Sequence, residues 1–173
     1  VEPLRAHGGP ITKPMRRIAA IVATAAMSVA LSACTQGHWV YSAPPAAGVQ
    51  ADEGGVKLRN FLIIADAEGK GMLLGAVATR DADIAVEGFT VTPGLHDGSY
   101  GKPVTVDFSE EVRKGATIYI DGENTQFSSP DLTPGMLAEV DVTFADGTVV
   151  NLDVPVMPSD HPDYQEWWDK YAA

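Results

Sequence analysis

The chain has 173 residues, 23 of them acidic and 12 basic, for a formal net charge of −11. Such a balance repels phosphate backbones and anionic headgroups, which excludes nucleic acid as a partner. Cys34 is the only cysteine, so no disulfide forms within the chain.

Residues 1–14 open on Val, carry Pro3, Gly8, Gly9, Pro10 and Pro14, and do not read as a targeting segment. Met15 reads as the true start. Met15-Arg16-Arg17 is a positive n-region, and Ile18 to Leu31 is apolar except for Thr24 and Ser28. This run is shorter than the roughly 20 apolar residues that span a bilayer, and it fits the h-region of a signal peptide. Leu31-Ser32-Ala33-Cys34 closes it in the manner of a bacterial lipoprotein signal. Cys34 is therefore expected to carry a diacylglyceryl group and to become the first mature residue. Two acyl chains hold a protein on a membrane where one binds only marginally. The expected place is the extracytoplasmic side of the cell membrane. Residues 1–33 are set apart from the fold as a leader.

The remaining 140 residues suffice for one domain with its own core. They hold 8 basic and 22 acidic side chains, a net of −14. An acidic surface suits a protein held off a membrane by its anchor, and it also suits docking to a basic partner.

Residues 34–55 read as the lipidated cysteine and a flexible tether, with Pro44-Pro45 and Gly48, Gly54 and Gly55. Trp39 and Tyr41 interrupt it with aromatic bulk beside the anchor. They either rest at the headgroups, which Trp and Tyr favour, or dock on a neighbouring membrane protein.

Residues 56–158 carry short strand-like runs: Val56–Ala65, Met72–Thr79, Ile84–Thr92, Val104–Phe108, Thr117–Ile120, Ala138–Phe144 and Thr148–Val156. Asp97-Gly98, Asp121-Gly122 and Asp146-Gly147 sit between runs as turn signals. In the last pair of runs Val140, Val142 and Phe144 alternate with Glu139, Asp141 and Thr143, which predicts a hairpin. No part of this region has helical periodicity. The pattern predicts an all-β, antiparallel β-sandwich of about seven strands.

Residues 159–173 form an acidic aromatic tail. Tyr164, Trp167, Trp168 and Tyr171 fall at i, i+3, i+4 and i+7, so a helix would line them up as one stripe. Ser159 or Asp160 is the expected cap, with Pro162 in the first turn. The stripe either plugs the domain's own sandwich or anchors in a partner's groove, since Trp and Tyr dominate interface hot spots.

Leu132-Thr-Pro-Gly135, Val142-Thr-Phe144-Ala-Asp-Gly147 and Val154-Pro-Val156 resemble the closing part of periplasmic copper chaperones of the PCuAC type. Leu58 to Ile64 and Leu73-Leu74-Gly75 resemble actinobacterial lipoproteins related to them. The resemblance runs over roughly 56–157. It implies an immunoglobulin-like or cupredoxin-like sandwich and a place near respiratory oxidase complexes. Those chaperones hold Cu(I) with His-x-Met on the strand before the hairpin, and soft thioether and imidazole ligands suit that ion. Here the matching stretch, Gln126-Phe127-Ser128-Ser129-Pro130, has neither residue.

The expectation is therefore a non-catalytic accessory module without a cofactor. It would bind the bilayer through Cys34 and a membrane or envelope complex, with a respiratory supercomplex as candidate. Trp39, Tyr41, Tyr164, Trp167, Trp168 and Tyr171 are the candidate contact residues. The rival is a metal-trafficking protein using His96, Met157 and His161, with Met72 and Met136 read as packing residues. A generic solute-binding envelope lipoprotein is a third reading. No nucleophile elbow, HExxH or phosphate loop is present, and Asp121-Gly122-Glu123-Asn124 reads as a solvated turn rather than a calcium loop.

Overall fold

The computed structural model describes residues 47–172. Cys34, Trp39 and Tyr41 lie outside them. Among the described residues there are nine strands and one helix. The strands are β1 (Val49–Glu53), β2 (Val56–Ala65), β3 (Lys70–Thr79), β4 (Ile84–Pro93), β5 (Val104–Val112), β6 (Thr117–Ile120), β7 (Gln126–Ser128), β8 (Leu137–Phe144) and β9 (Val149–Pro158). The helix is α1 (Pro162–Tyr171).

Seven strands follow one hydrogen-bonded path, β5-β4-β8-β9-β2-β3-β6, with β1 added on β2 and β7 on β3. The path folds over on itself at β9. From Val149 to Pro155 that strand pairs antiparallel with β8, and Val156 to Pro158 then pair with Ile63 to Ala65 of β2. The result is the expected β-sandwich, with one departure from a wholly antiparallel plan: β2 and β9 run parallel.

Alternation builds the interior. Val140, Val142 and Phe144 of β8 and Val150, Leu152, Val154 and Val156 of β9 face inward. Val86, Phe89 and Val91 of β4 lie in the same core as Leu58, Phe61 and Ile63 of β2. Phe89 touches Phe61 edge-on at 6.2 Å and Phe108 at 5.2 Å between ring centres. Gly75 leaves the room that Phe61 occupies, because a Cβ there would come 2.8 Å from the Phe61 ring.

The three Asp-Gly pairs all turn the chain. Gly98, Gly122 and Gly147 have φ of 83°, 94° and 85°, a region that costs glycine little. In each turn the preceding Asp accepts the N–H two residues on, from Ser99, Glu123 and Thr148 respectively.

Two strands were not legible as such. Val49–Glu53 lies within the stretch expected to be tether, so the ordered sheet starts before residue 56. Its backbone pairs with β2 while Val49 and Ala51 pack on the core. Gln126–Ser128 adds a three-residue strand to β3. The helix cap also differs. His161, not Ser159 or Asp160, is the N-cap, its ring accepting the Asp163 N–H, with Pro162 next in the first turn.

Candidate docking groove beside the C-terminal helix

The site begins with a bulge in β2. Its pairing with β3 shifts between Arg59 and Leu62, and Asn60 sits there with φ of 52°. The Asn60 side chain accepts the Gly48 N–H at 3.1 Å. One extra residue reverses the parity of the strand. Val56 and Leu58 face the interior before the bulge, and Phe61, Ile63 and Ala65 face it afterwards.

That shift aims Leu62 and Ile64 outward. With Met72 and Leu74 of β3 and Met157 of β9 they form a second apolar patch on the sheet's outer face. A strand apolar on both faces must be covered on both. The aromatic stripe of α1 supplies the cover: Tyr164, Trp168 and Tyr171 pack on this patch with Ala172. The helix is also tied at its end, where the Gln126 side-chain amide donates to the Tyr171 carbonyl. The Tyr171 hydroxyl donates to Asp121 at 3.3 Å.

Three of the four tail aromatics are thus placed against the domain's own sheet. Trp167 is not. It remains 42 % exposed on the side of the helix facing β6, where Tyr119 is 76 % exposed. Between them runs a groove of about 440 Å³ with a floor of Leu62, Leu74 and Ala76. Asp121, Asp163 and Arg59 stand at its rim, and Asn60 and Tyr164 complete the wall.

The rim charges are not equivalent. Arg59 lies 2.5 Å from Asp52 and donates to the carbonyls of Ala51 and Leu58, so β1 and β2 already engage it. Its guanidinium holds the Asp52 carboxyl below the usual range. Lys170 donates to the Tyr171 hydroxyl at 2.6 Å, and its ammonium lies 4.4 Å from the Tyr171 ring and 5.8 Å from that of Trp167. Those two rings stack at 5.9 Å. The hydroxyl, with Asp121 and Glu123 nearby, raises the Lys170 pKa. Burial against the sheet, followed by the Asp163 charge, raises that of Tyr164.

Tyr119, Asp121, Arg59 and Asn60 were not singled out from the sequence for this site. Tyr119 carried a signal. In Thr-Ile-Tyr-Ile the isoleucines point inward, which leaves the tyrosine on the outer face.

The soft donors do not converge. Met72 is fully buried under α1, and Met157 lies in the same patch. His161 spends its Nδ1 on the helix cap. His96 is exposed in the β4–β5 loop, where its neighbours Leu95 and Gly98 line a separate cavity of about 410 Å³ with Met136. Gln126–Ser128 is β7, and it offers an amide, a ring and a hydroxyl. Among the described residues no group of three His, Cys, Asp or Glu is arranged for a metal.

No family profile matches the chain, and no curated protein sequence does. Solved structures do. The chain is similar to an apo PCuAC domain from PmoF2, at 17% identity over 65% of this chain and 98% of that one, with a TM-score of 0.39. It is similar at 15% identity to the copper-bound PCuAC domain from PmoF2, over 64% of this chain and 98% of that one, with a TM-score of 0.38. An apo PCuAC domain from PmoF1 is similar at 14% identity, over 64% and 99%, with a TM-score of 0.39.

Proposed function

We propose that this chain is a lipid-anchored, extracytoplasmic β-sandwich that works by protein contact rather than by catalysis. The observation that carries the reading is the half-exposed Trp167 beside the exposed Tyr119, flanking an apolar groove. Aromatic residues at the margin of an apolar recess are the usual anchors of a protein interface. The leader from Met15 to Cys34 supports the anchor. Affinity purification of the full chain from detergent-solubilised membranes tests the proposal. A membrane protein complex should co-purify with the native chain and be lost with Trp167→Ala, while melting stays unchanged. Recovery of the same partners with Trp167→Ala and with Tyr119→Ala would refute it. The respiratory oxidase complex implied by the family resemblance is the first partner to seek in the eluate.

A second reading, copper trafficking, comes from the family resemblance, although the soft donors do not converge in the structure. Met136 lines the end cavity beside the loop that carries His96, and its carbonyl accepts the N–H of Val156, the residue before Met157. Thioethers and imidazole are the donors Cu(I) prefers. Cu(I) competition against a tight chelator separates the readings. Stoichiometric copper that survives the chelator and is lost with Met136→Ala or His96→Ala favours trafficking, and complete stripping favours contact.

A further inference from the structure

We infer that the groove beside α1 receives a basic segment of a partner protein, seating an arginine or lysine side chain against Tyr119 and Trp167. The inference rests on the contact reading and names the chemistry of the partner.

The groove offers two exposed rings, Tyr119 from the edge strand β6 and Trp167 from α1. An aromatic face attracts a cation through its quadrupole, most strongly for Trp. The molecule already uses this chemistry on one of the two rings, since the Lys170 ammonium lies 5.8 Å from the centre of the Trp167 ring. Carboxylates supply the charge. Asp121, which also accepts the Tyr171 hydroxyl, and Asp163, 3.8 Å from the His161 ring, line the groove, while the cation Arg59 is engaged by Asp52 and two carbonyls. At long range a chain with a net charge of −11 draws basic partners and repels acidic ones. The apolar floor of Leu62, Leu74 and Ala76 accommodates the methylene stem behind a guanidinium or ammonium head.

Calorimetric titration of the full chain with an alternating Arg-Gly peptide tests this, with a Glu-Gly peptide of equal length as the control. The Arg-Gly peptide should bind and the Glu-Gly peptide should not. Tyr119→Ala and Trp167→Ala should each weaken binding about fivefold, the worth of one exposed cation–π contact. Asp121→Asn with Asp163→Asn should weaken it further and flatten its salt dependence. Glu110→Gln with Glu111→Gln removes the same charge from β5, at two carboxylates that do not line the groove, and should change affinity by less than about twofold. Tyr119 is 76 % exposed, so Tyr119→Ala should leave the thermal melt unchanged, and it decides the matter alone if Trp167→Ala, which also removes the stack on Tyr171, disturbs the helix. Equal losses from the rim and β5 variants, or none from either ring, would reduce the binding to overall charge and overturn the inference. If the peptide fails to bind while a partner still co-purifies through Trp167, the basic segment is wrong and the contact reading stands.

Discussion

The sandwich interior and the patch beneath α1 are both apolar, but they are closed in different ways. Phe61, Ile63, Phe89, Val140 and Val142 are shut off from water by strands on both sides, and each position is fixed by strand alternation. Leu62, Ile64 and Met72 are shut off by a ten-residue helix in which no residue is fully buried. A helix that short is marginal without the surface it packs on. The sandwich interior is closed by strands, whereas α1 covers the outer patch and shapes a groove along one edge.

The sharpest way to break the sandwich side is Phe89→Ala. That ring is 1 % exposed and touches both Phe61 and Phe108. Its removal should cost about 3–5 kcal/mol, as large aromatic truncations in cores do. Denaturant unfolding measures it, and a loss near 1 kcal/mol would mean that the interior is far looser than its burial suggests.

Removing residues 159–173 tests the other side. The deletion uncovers Leu62, Ile64 and Met72, but the lost aromatics kept part of their area in water. The expected loss is ~2 kcal/mol, smaller than for Phe89→Ala, with a single cooperative transition retained. A truncated chain that fails to fold would show that the helix is part of the core. A melt unchanged from the native one would show that it does not hold the sheet in solution.

The same contrast explains what could be read from the sequence. β2 and β6 are bounded as their apolar runs predict, and the β8–β9 hairpin keeps the predicted alternation because a period of two is a local signal. β1 escaped because Val-Gln-Ala-Asp-Glu is mostly polar and becomes a strand only by pairing with β2. β7 is too short to show a period. The bulge at Asn60 has no local mark beyond the tolerance of Asn for positive φ. The tail's i, i+3, i+4, i+7 stripe was visible, but which surface it would meet was not, since Leu62, Met72 and Met157 come together only when distant strands pair. The groove draws on β2, β3, β6 and α1, and no window of sequence spans those elements.

The smallest expected effect separates the two regions by pH. Three carboxylates outside α1 are held below their ordinary value of 3.8. The Arg59 side chain does this for Asp52, the Ser99 hydroxyl and N–H for Asp97, and the Thr148 N–H and hydroxyl for Asp146. Their contribution to stability is complete above that value and is lost as the pH falls through their lowered folded pKa values. On α1 the signs reverse. Tyr164 holds its proton above the ordinary 10.0, and Lys170 holds its own above 10.5. Both contributions are complete below those values and fade as the pH rises through the raised folded ones. Acid should therefore loosen β1 and the two turns, and alkali should loosen the helix. Trp167 and Trp168 both lie on α1, so in a Trp39→Phe background tryptophan fluorescence follows the helix while β-sheet circular dichroism follows the sandwich. The fluorescence change above pH ~10 should precede any loss of sheet signal. Tyr164→Phe, which cannot ionise, should delay that change and leave the acid limb untouched. An alkaline change of the same midpoint in Tyr164→Phe and in Lys170→Met would show that neither group governs how the helix is held.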